Sequence, residues 1–172
     1  MEIKHTERLF DGYYKIDKLT INTNDNQTIY RELFINKNGV GAIVYNTILN
    51  KYILVKQWRI ANKNPLIEIV AGSIEYNSTP IQAIKTEILE EIGYSCDKII
   101  PINNFYVSPG AITENVSLFY VEVSNQINNG GGNPLENENI EIIYMTKEEL
   151  FNTTFFDAKS IIAVNHIKYN NL

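Results

Sequence analysis

Residues 72–94 read GSIEYNSTPIQAIKTEILEEIGY, and this stretch decides the fold. Thr79 suits a helix N-cap, Pro80 the first helical position, and Gln82 the reciprocal place of a capping box. Gly93 supplies a stop. Between them Ile81, Ile84, Ile88 and Ile92 recur at spacings of 3, 4 and 4, giving one apolar stripe. Glu87, Glu90 and Glu91 fall beside that stripe within a wedge of roughly 100°. The stripe can pack while the three carboxylates stay together at the surface. Glu87 and Glu91 are neighbours at i, i+4 and repel by a few tenths of a kcal/mol. A hard divalent cation with oxygen ligands would offset that repulsion. On charge spacing alone, a solvated acidic helix face fits at least as well.

Outward from this helix the chain reads as strands. Residues 14–23 and 28–36 alternate apolar and polar side chains around an Asn-Asp-Asn turn at 24–26. Residues 39–45, 52–57 and 66–70 follow, the last running into Ala71-Gly72. Beyond the helix, strand signals return at 99–107, 116–123 and 140–144, with a Gly/Asn-rich loop over roughly 125–139. Thr146 with Glu149 opens a short helix, and Asp157 caps a last one from 158 to about 169. Strands flanking a central helix, with a helix at the end, predict an α+β sandwich.

The whole chain has 172 residues, enough for one domain with a short arm. Fifteen Lys and Arg face twenty Asp and Glu, a net charge of -5. Nucleic-acid backbone requires a basic footprint, so no nucleic-acid partner is expected. No run approaches the ~20 apolar residues of a membrane span, so no membrane partner is expected either. Residues 1–11 carry charges throughout, without the apolar core of a signal peptide, and the expected location is cytoplasmic. With Cys96 alone there is no internal disulfide and no Cys-rich metal site. His5 and His166 have no local metal-ligand partners, so any metal must be held mainly by carboxylates.

The segment 72–94 resembles the Nudix box, G-x5-E-x7-R-E-U-x-E-E-x-G-U, where U is a bulky apolar or aromatic residue. Gly72, Glu87, Ile88, Glu90, Glu91, Gly93 and Tyr94 stand at its spacing. Four further blocks are similar to the nucleoside diphosphate-sugar branch of that family. They are Val55-Lys56-Gln57-Trp58-Arg59, the run from Glu68 through Ala71-Gly72 to Glu75, the run from Tyr106 through Ser108-Pro109-Gly110 to Glu114, and Gly130-Gly131-Gly132 followed by Glu136-Asn137-Glu138. Two positions depart from the box: Ser78 stands for its first Glu and Thr86 for its Arg. The family's residues there brace the loop and orient the glutamates. Both being neutral strands no lone charge, and Lys85 or Glu75 could substitute in part.

The resemblance implies an α/β/α sandwich with a mixed central sheet over residues 37–172, and an N-terminal antiparallel strand arm over 1–36. It implies a pyrophosphatase that splits a nucleoside diphosphate sugar into a nucleoside monophosphate and a sugar phosphate. GDP-mannose leads and ADP-ribose is the close alternative. A nucleotide-sensing module without catalysis, and cleavage of mutagenic nucleoside triphosphates, are further alternatives. The implied cofactor is Mg²⁺, with Mn²⁺ possible. Its ligands would be Glu87, Glu90, Glu91, Glu138 and the backbone carbonyl of Ala71. Glu136 is the favoured base, so the catalytic set is Glu136, Glu91 and Glu87. Arg59, whose fork matches phosphate oxygens, together with Arg31 and Glu114 would contact substrate. Glu68 and Glu75 lie near the site by sequence, and Trp58 is expected in the core or at a subunit contact. The arm would dimerise the protein, and one of Tyr13, Tyr14 and Tyr30 could stack on a base or simply pack.

Overall fold

This computed structural model describes residues 1–133 and 138–170. Along those residues run β1 (Glu2–Asp11), β2 (Lys15–Asn22), β3 (Thr28–Ile35), β4 (Gly39–Asn46), β5 (Lys51–Arg59), β6 (Asn64–Glu68), β7 (Val70–Ser73), α1 (Pro80–Glu91), β8 (Tyr94–Tyr106), β9 (Asn115–Gln126), β10 (Glu141–Met145), α2 (Lys147–Asn152) and α3 (Ala158–Asn170). They form two compact units, Met1–Asn38 with Phe105–Val116, and Gly39–Asn104 with Ser117–Leu172.

The second unit is built on a sheet of order β10-β5-β4-β9-β8, with β6 added to β5 and β7 to β4. Strands β4 and β5 pair for only three residues, Val44↔Ile53, Tyr45↔Tyr52 and Asn46↔Lys51. Past that point they part like a fork. The chain from Asn64 to Ser73 fills the gap. Its first half pairs with β5, from Arg59↔Asn64 to Val55↔Glu68. Its second half pairs with β4, from Ala42↔Val70 to Gly39↔Ser73. Ile69 is the apex between the two ladders.

Period-2 alternation gives this sheet two apolar faces. Val40, Ala42, Val44, Val55, Phe119, Val121 and Val123 pack against Ala83, Ile84 and Ile88 of α1 and its C-cap Ile92. The interleaved Ile43, Leu54 and Leu118 are buried on the opposite face, where α3 lies on β4 and brings the buried Ala163, Val164 and Ile167. The result is a helix–sheet–helix sandwich of the α+β class with a mixed sheet.

Helix α1 starts where the sequence places it. The Thr79 hydroxyl accepts the Gln82 N–H, and the Gln82 side chain accepts the Thr79 N–H at 2.9 Å. At the other end Gly93 N–H bonds the Ile88 carbonyl at 3.1 Å. The apolar stripe is shorter than its spacing suggests. Ile81 remains 49% exposed, because the first turn rides over an open cleft lined by Pro101, Ile102 and Leu118. Strand β8 begins directly after the helix at Tyr94, not at 99, and β9 continues to Gln126.

In the first unit β1, β2 and β3 form an antiparallel sheet in that order. The ring of Tyr14 lies 5.1 Å from that of Phe34. The segment Phe105–Val116 ties onto the end of β3 through Phe34 N–H to Ala111 O at 2.8 Å and Thr113 N–H to Phe34 O at 3.0 Å. Strand β1 has no counterpart in the sequence reading. All ten of its residues are exposed, so no alternation could announce it. Its register on β2 shifts twice, between Ile3 and His5 and between Arg8 and Phe10. Among the described residues no helix is long and apolar enough to cross a membrane.

The capping box at α1 gives a direct test of this local reading. Thr79→Ala is expected to lower unfolding stability by about 1 kcal/mol in urea titration, with the transition slope unchanged.

Candidate active site

The three glutamates of α1 meet three different environments. Glu91 lies seven residues after Ile84, two turns along the same side of the helix, and therefore sits inside the apolar stripe. It is only 1% exposed. Glu87, at the border of the stripe, is half-buried, and Glu90 is exposed. The carboxylates do not all stay at the surface, as spacing alone suggested. The one most enclosed is drawn in by the packing of its own helix.

Backbone holds these carboxylates. The Ala71 N–H donates to Glu91, while Glu91 Oε2 is buried with no hydrogen-bond partner among the described residues. A strand residue sends its N–H and C=O to the same edge, so the Ala71 carbonyl leaves β7 on the side of that carboxylate. Glu87 rests on Gly72, where a Cβ would fall inside its carboxylate group. Glycine is required here for close approach, not for an unusual backbone angle.

The loop after β9 completes the arrangement. Gly131 N–H bonds the Glu91 carbonyl at 2.8 Å and Gly132 N–H bonds the Glu90 carbonyl at 3.1 Å. The glycine triplet thus satisfies carbonyls that the last turn of α1 leaves open. Gly130 has φ +60, and a Cβ on it would strike the Glu91 and Ile92 backbone. Docked this way, the loop carries Glu138 into the field of Glu91. Glu138 also accepts the Asn133 N–H at 3.2 Å, across the base of the segment 134–137. Glu136 falls in that segment, outside the described residues.

Burial, then the charges of Glu87 and Glu138, push the Glu91 carboxyl well above the usual carboxylate range; the Ala71 N–H and the Arg59 charge oppose them. Arg59, four residues on from Val55, lies on the face of β5 that Val55 presents to α1. Its Nε bonds Glu68 at 2.6 Å, an ion pair in which the Glu68 side chain is only 4% exposed. Glu68 is opposite Val55 in the β5–β6 register, so the fork of the sheet makes this pair. Only Nε is engaged among the described residues, leaving the end of the guanidinium fork for an anion.

Trp58, expected in the core or at a subunit contact, is 58% exposed and so not in the core. Arg31 belongs to the first unit and bonds its neighbour's carbonyl, Tyr30 O, at 2.8 Å. Glu114, in the same unit, accepts the Asn36 side-chain amide at 2.8 Å. Ser78 is half-buried and Thr86 exposed; Thr86 bonds the Gln82 carbonyl of its own helix at 3.2 Å. The Lys85 charge is felt at Cys96. Sequence reasoning matched Gly72 and the glycine triplet only as motif letters. The contact that gives each its role is made across the fold.

Among the described residues no three His, Cys, Asp or Glu side chains are grouped closely enough to hold a metal ion as they stand. The donor set nonetheless fits a hard divalent cation. An orphaned buried carboxylate oxygen, with two more carboxylates in its field, is unfavourable until a cation joins it.

Comparison with known proteins agrees with this geometry. The NUDIX domain family model matches residues 36–164. The chain is 30% identical to the GDP-mannose pyrophosphatase of Escherichia coli (strain K12), over 95% of this chain and 93% of that protein. It is 28% identical to the GDP-mannose pyrophosphatase of Cronobacter sakazakii, over 100% and 97% of the two chains. A solved structure described as an ADP compounds hydrolase superposes with a TM-score of 0.81, covering 98% of this chain and 92% of its own, at 12% identity, which speaks for the fold alone. The fold and the carboxylate-bearing helix are those of a hydrolase of phosphoanhydrides. The chain belongs to the NUDIX family. It is a Nudix hydrolase related to the GDP-mannose pyrophosphatases, and such hydrolases generally use divalent metal ions.

Two substitutions test the site. Gly72→Ala would force Glu87 off its seat while disturbing only the end of a flexible side chain. Hydrolysis should fall about 10²-fold with the melting temperature nearly unchanged. Glu91→Gln should stabilise the metal-free protein at pH 7, seen as a higher melting temperature in a thermal melt with chelator. The sign follows from the raised pKa. Between the unfolded value near 4.5 and the higher folded value, the folded state binds more protons than the unfolded state. Wild-type stability therefore falls as pH rises through that window, and the gap to Glu91→Gln should close below it.

Proposed function

We propose that the chain hydrolyses a nucleoside diphosphate sugar, GDP-mannose first, to a nucleoside monophosphate and a sugar phosphate, with Mg²⁺ as cofactor. The observation that carries the catalytic reading is the buried, unpartnered Glu91 oxygen beside Glu87 and Glu138. The choice of substrate is supported by the relatives named GDP-mannose pyrophosphatase, which align over nearly the whole chain.

Glu87, Glu91 and Glu138, with the Ala71 carbonyl, would hold the ion, and Glu90 would serve through its water shell. When bound, such an ion neutralises charge on the phosphate oxygens and makes a water molecule a better nucleophile. Arg59 would grip phosphate oxygens with its fork, its stem fixed by the pair with Glu68. Glu136 is proposed as the base that takes the proton of the attacking water. The new bond is water oxygen to phosphorus, and the bond that breaks joins that phosphorus to the bridging oxygen, which leaves with the other phosphate. Arg31 and Glu114 are proposed as substrate contacts, and the exposed aromatics Tyr13, Tyr14 and Tyr30 support a homodimer formed through the arm.

Incubation of folded protein with GDP-mannose or ADP-ribose and Mg²⁺, followed by chromatography of the products, tests this reading. GDP-mannose should give GMP and mannose 1-phosphate with kcat/KM about tenfold above that for ADP-ribose. A reversed ratio would replace the substrate assignment. Turnover of neither, nor of any other nucleoside diphosphate sugar, would overturn the function.

A further inference from the structure

We propose that Ser160, oriented by Asp157, is a positioning residue for the carboxylate site, acting through the backbone of Ile69 at the apex of the forked sheet. This rests on the function proposed above for the same site.

Ile69 lies between two ladders and belongs to neither, since β6 ends at Glu68 and β7 begins at Val70. Its N–H is given instead to Ser160 Oγ at 2.9 Å, deep in the protein. Ser160 is 0% exposed. Its hydroxyl proton goes to Asp157 Oδ2 at 2.7 Å, and its own N–H reaches the same oxygen at 2.9 Å. Asp157 is in turn paired with Lys159 at 2.6 Å. The hydroxyl donates to the carboxylate, so an Oγ lone pair is fixed toward Ile69. A chain of such bonds polarises and stiffens each member.

The position of Ile69 makes this more than a helix cap. One residue before it, Glu68 holds Arg59 at 2.6 Å. Two residues after it, Ala71 gives its N–H to Glu91. One residue further, Gly72 seats Glu87. A single buried hydrogen bond from α3, on the opposite face of the sheet, thus fixes the pivot between the phosphate-facing guanidinium and the two carboxylates. Releasing it frees the apex to shift, and both ends of the site shift with it.

The test compares Ser160→Ala, Ser160→Thr and a control, Ala163→Gly, at another buried position of α3 whose methyl side chain has no hydrogen bond to offer the apex. Steady-state kinetics are joined by Mn²⁺ affinity from electron paramagnetic resonance without substrate. Ser160→Ala should lower kcat about tenfold, with KM changed less than about twofold, and weaken Mn²⁺ binding about tenfold. Ser160→Thr keeps the oxygen and should restore both to within about threefold. Ala163→Gly should lose comparable melting temperature yet keep kcat and Mn²⁺ affinity. Equal losses in Ser160→Ala and Ala163→Gly, or no loss in either readout for Ser160→Ala, would overturn the proposal. If Ser160→Ala does not fold, Asp157→Asn must show the same two losses at about threefold, and its failure to do so counts against the idea equally. Lack of turnover by the wild type would sink the function alone, because Mn²⁺ affinity still decides the positioning role.

Discussion

The carboxylate cluster of this hydrolase depends on one unfavourable act, the burial of Glu91. Packing of Ile84, Ile88 and Ile92 against the sheet compels it, because Glu91 shares their side of α1. A carboxylate taken out of water is costly unless charge and hydrogen bonds meet it. Ala71 meets one side and Arg59 acts from a distance, while Glu87 and Glu138 act against it. The site therefore carries an electrostatic deficit that a proton or a metal cation would relieve. The forked sheet, the Gly72 seat and the docked glycine loop each gain their purpose from that deficit.

Seen this way, the neutral residues at positions 78 and 86 are less damaging than their motif positions suggest. Backbone takes part in holding the glutamates. An N–H from β7 meets Glu91, a missing Cβ admits Glu87, and amides of a loop engage the carbonyls of Glu90 and Glu91. Backbone contacts of this kind are insensitive to which side chains surround them. The glutamates can thus be oriented without a charged brace.

Much of this was legible in the sequence, for physical reasons that differ by element. Thr79, Pro80, Gln82 and Gly93 act locally, so α1 could be bounded from its own residues. The core strands of the second unit are half or fully buried and announce themselves by hydrophobicity. Strand β1 could not, because exposure on both faces leaves no pattern. Helical spacing placed Glu87, Glu90 and Glu91 relative to one another but not relative to the sheet, and so missed that one is buried and one exposed. The Arg59–Glu68 pair and the Ile69–Ser160 bond depend on strand register and on a helix 91 residues away, which no local window contains.

The exposed strand β1 has one more consequence. An unpaired strand edge is an open template, and an edge ten residues long could seed endless stacking of one copy on the next. Here two bulges interrupt its ladder, and Lys4, Glu7 and Arg8 scatter charge along it. A kinked, charged edge accepts few partners and suits no flat, repeating one. The irregularity of β1 is thus a safeguard, steering its sheet away from fibrous self-association.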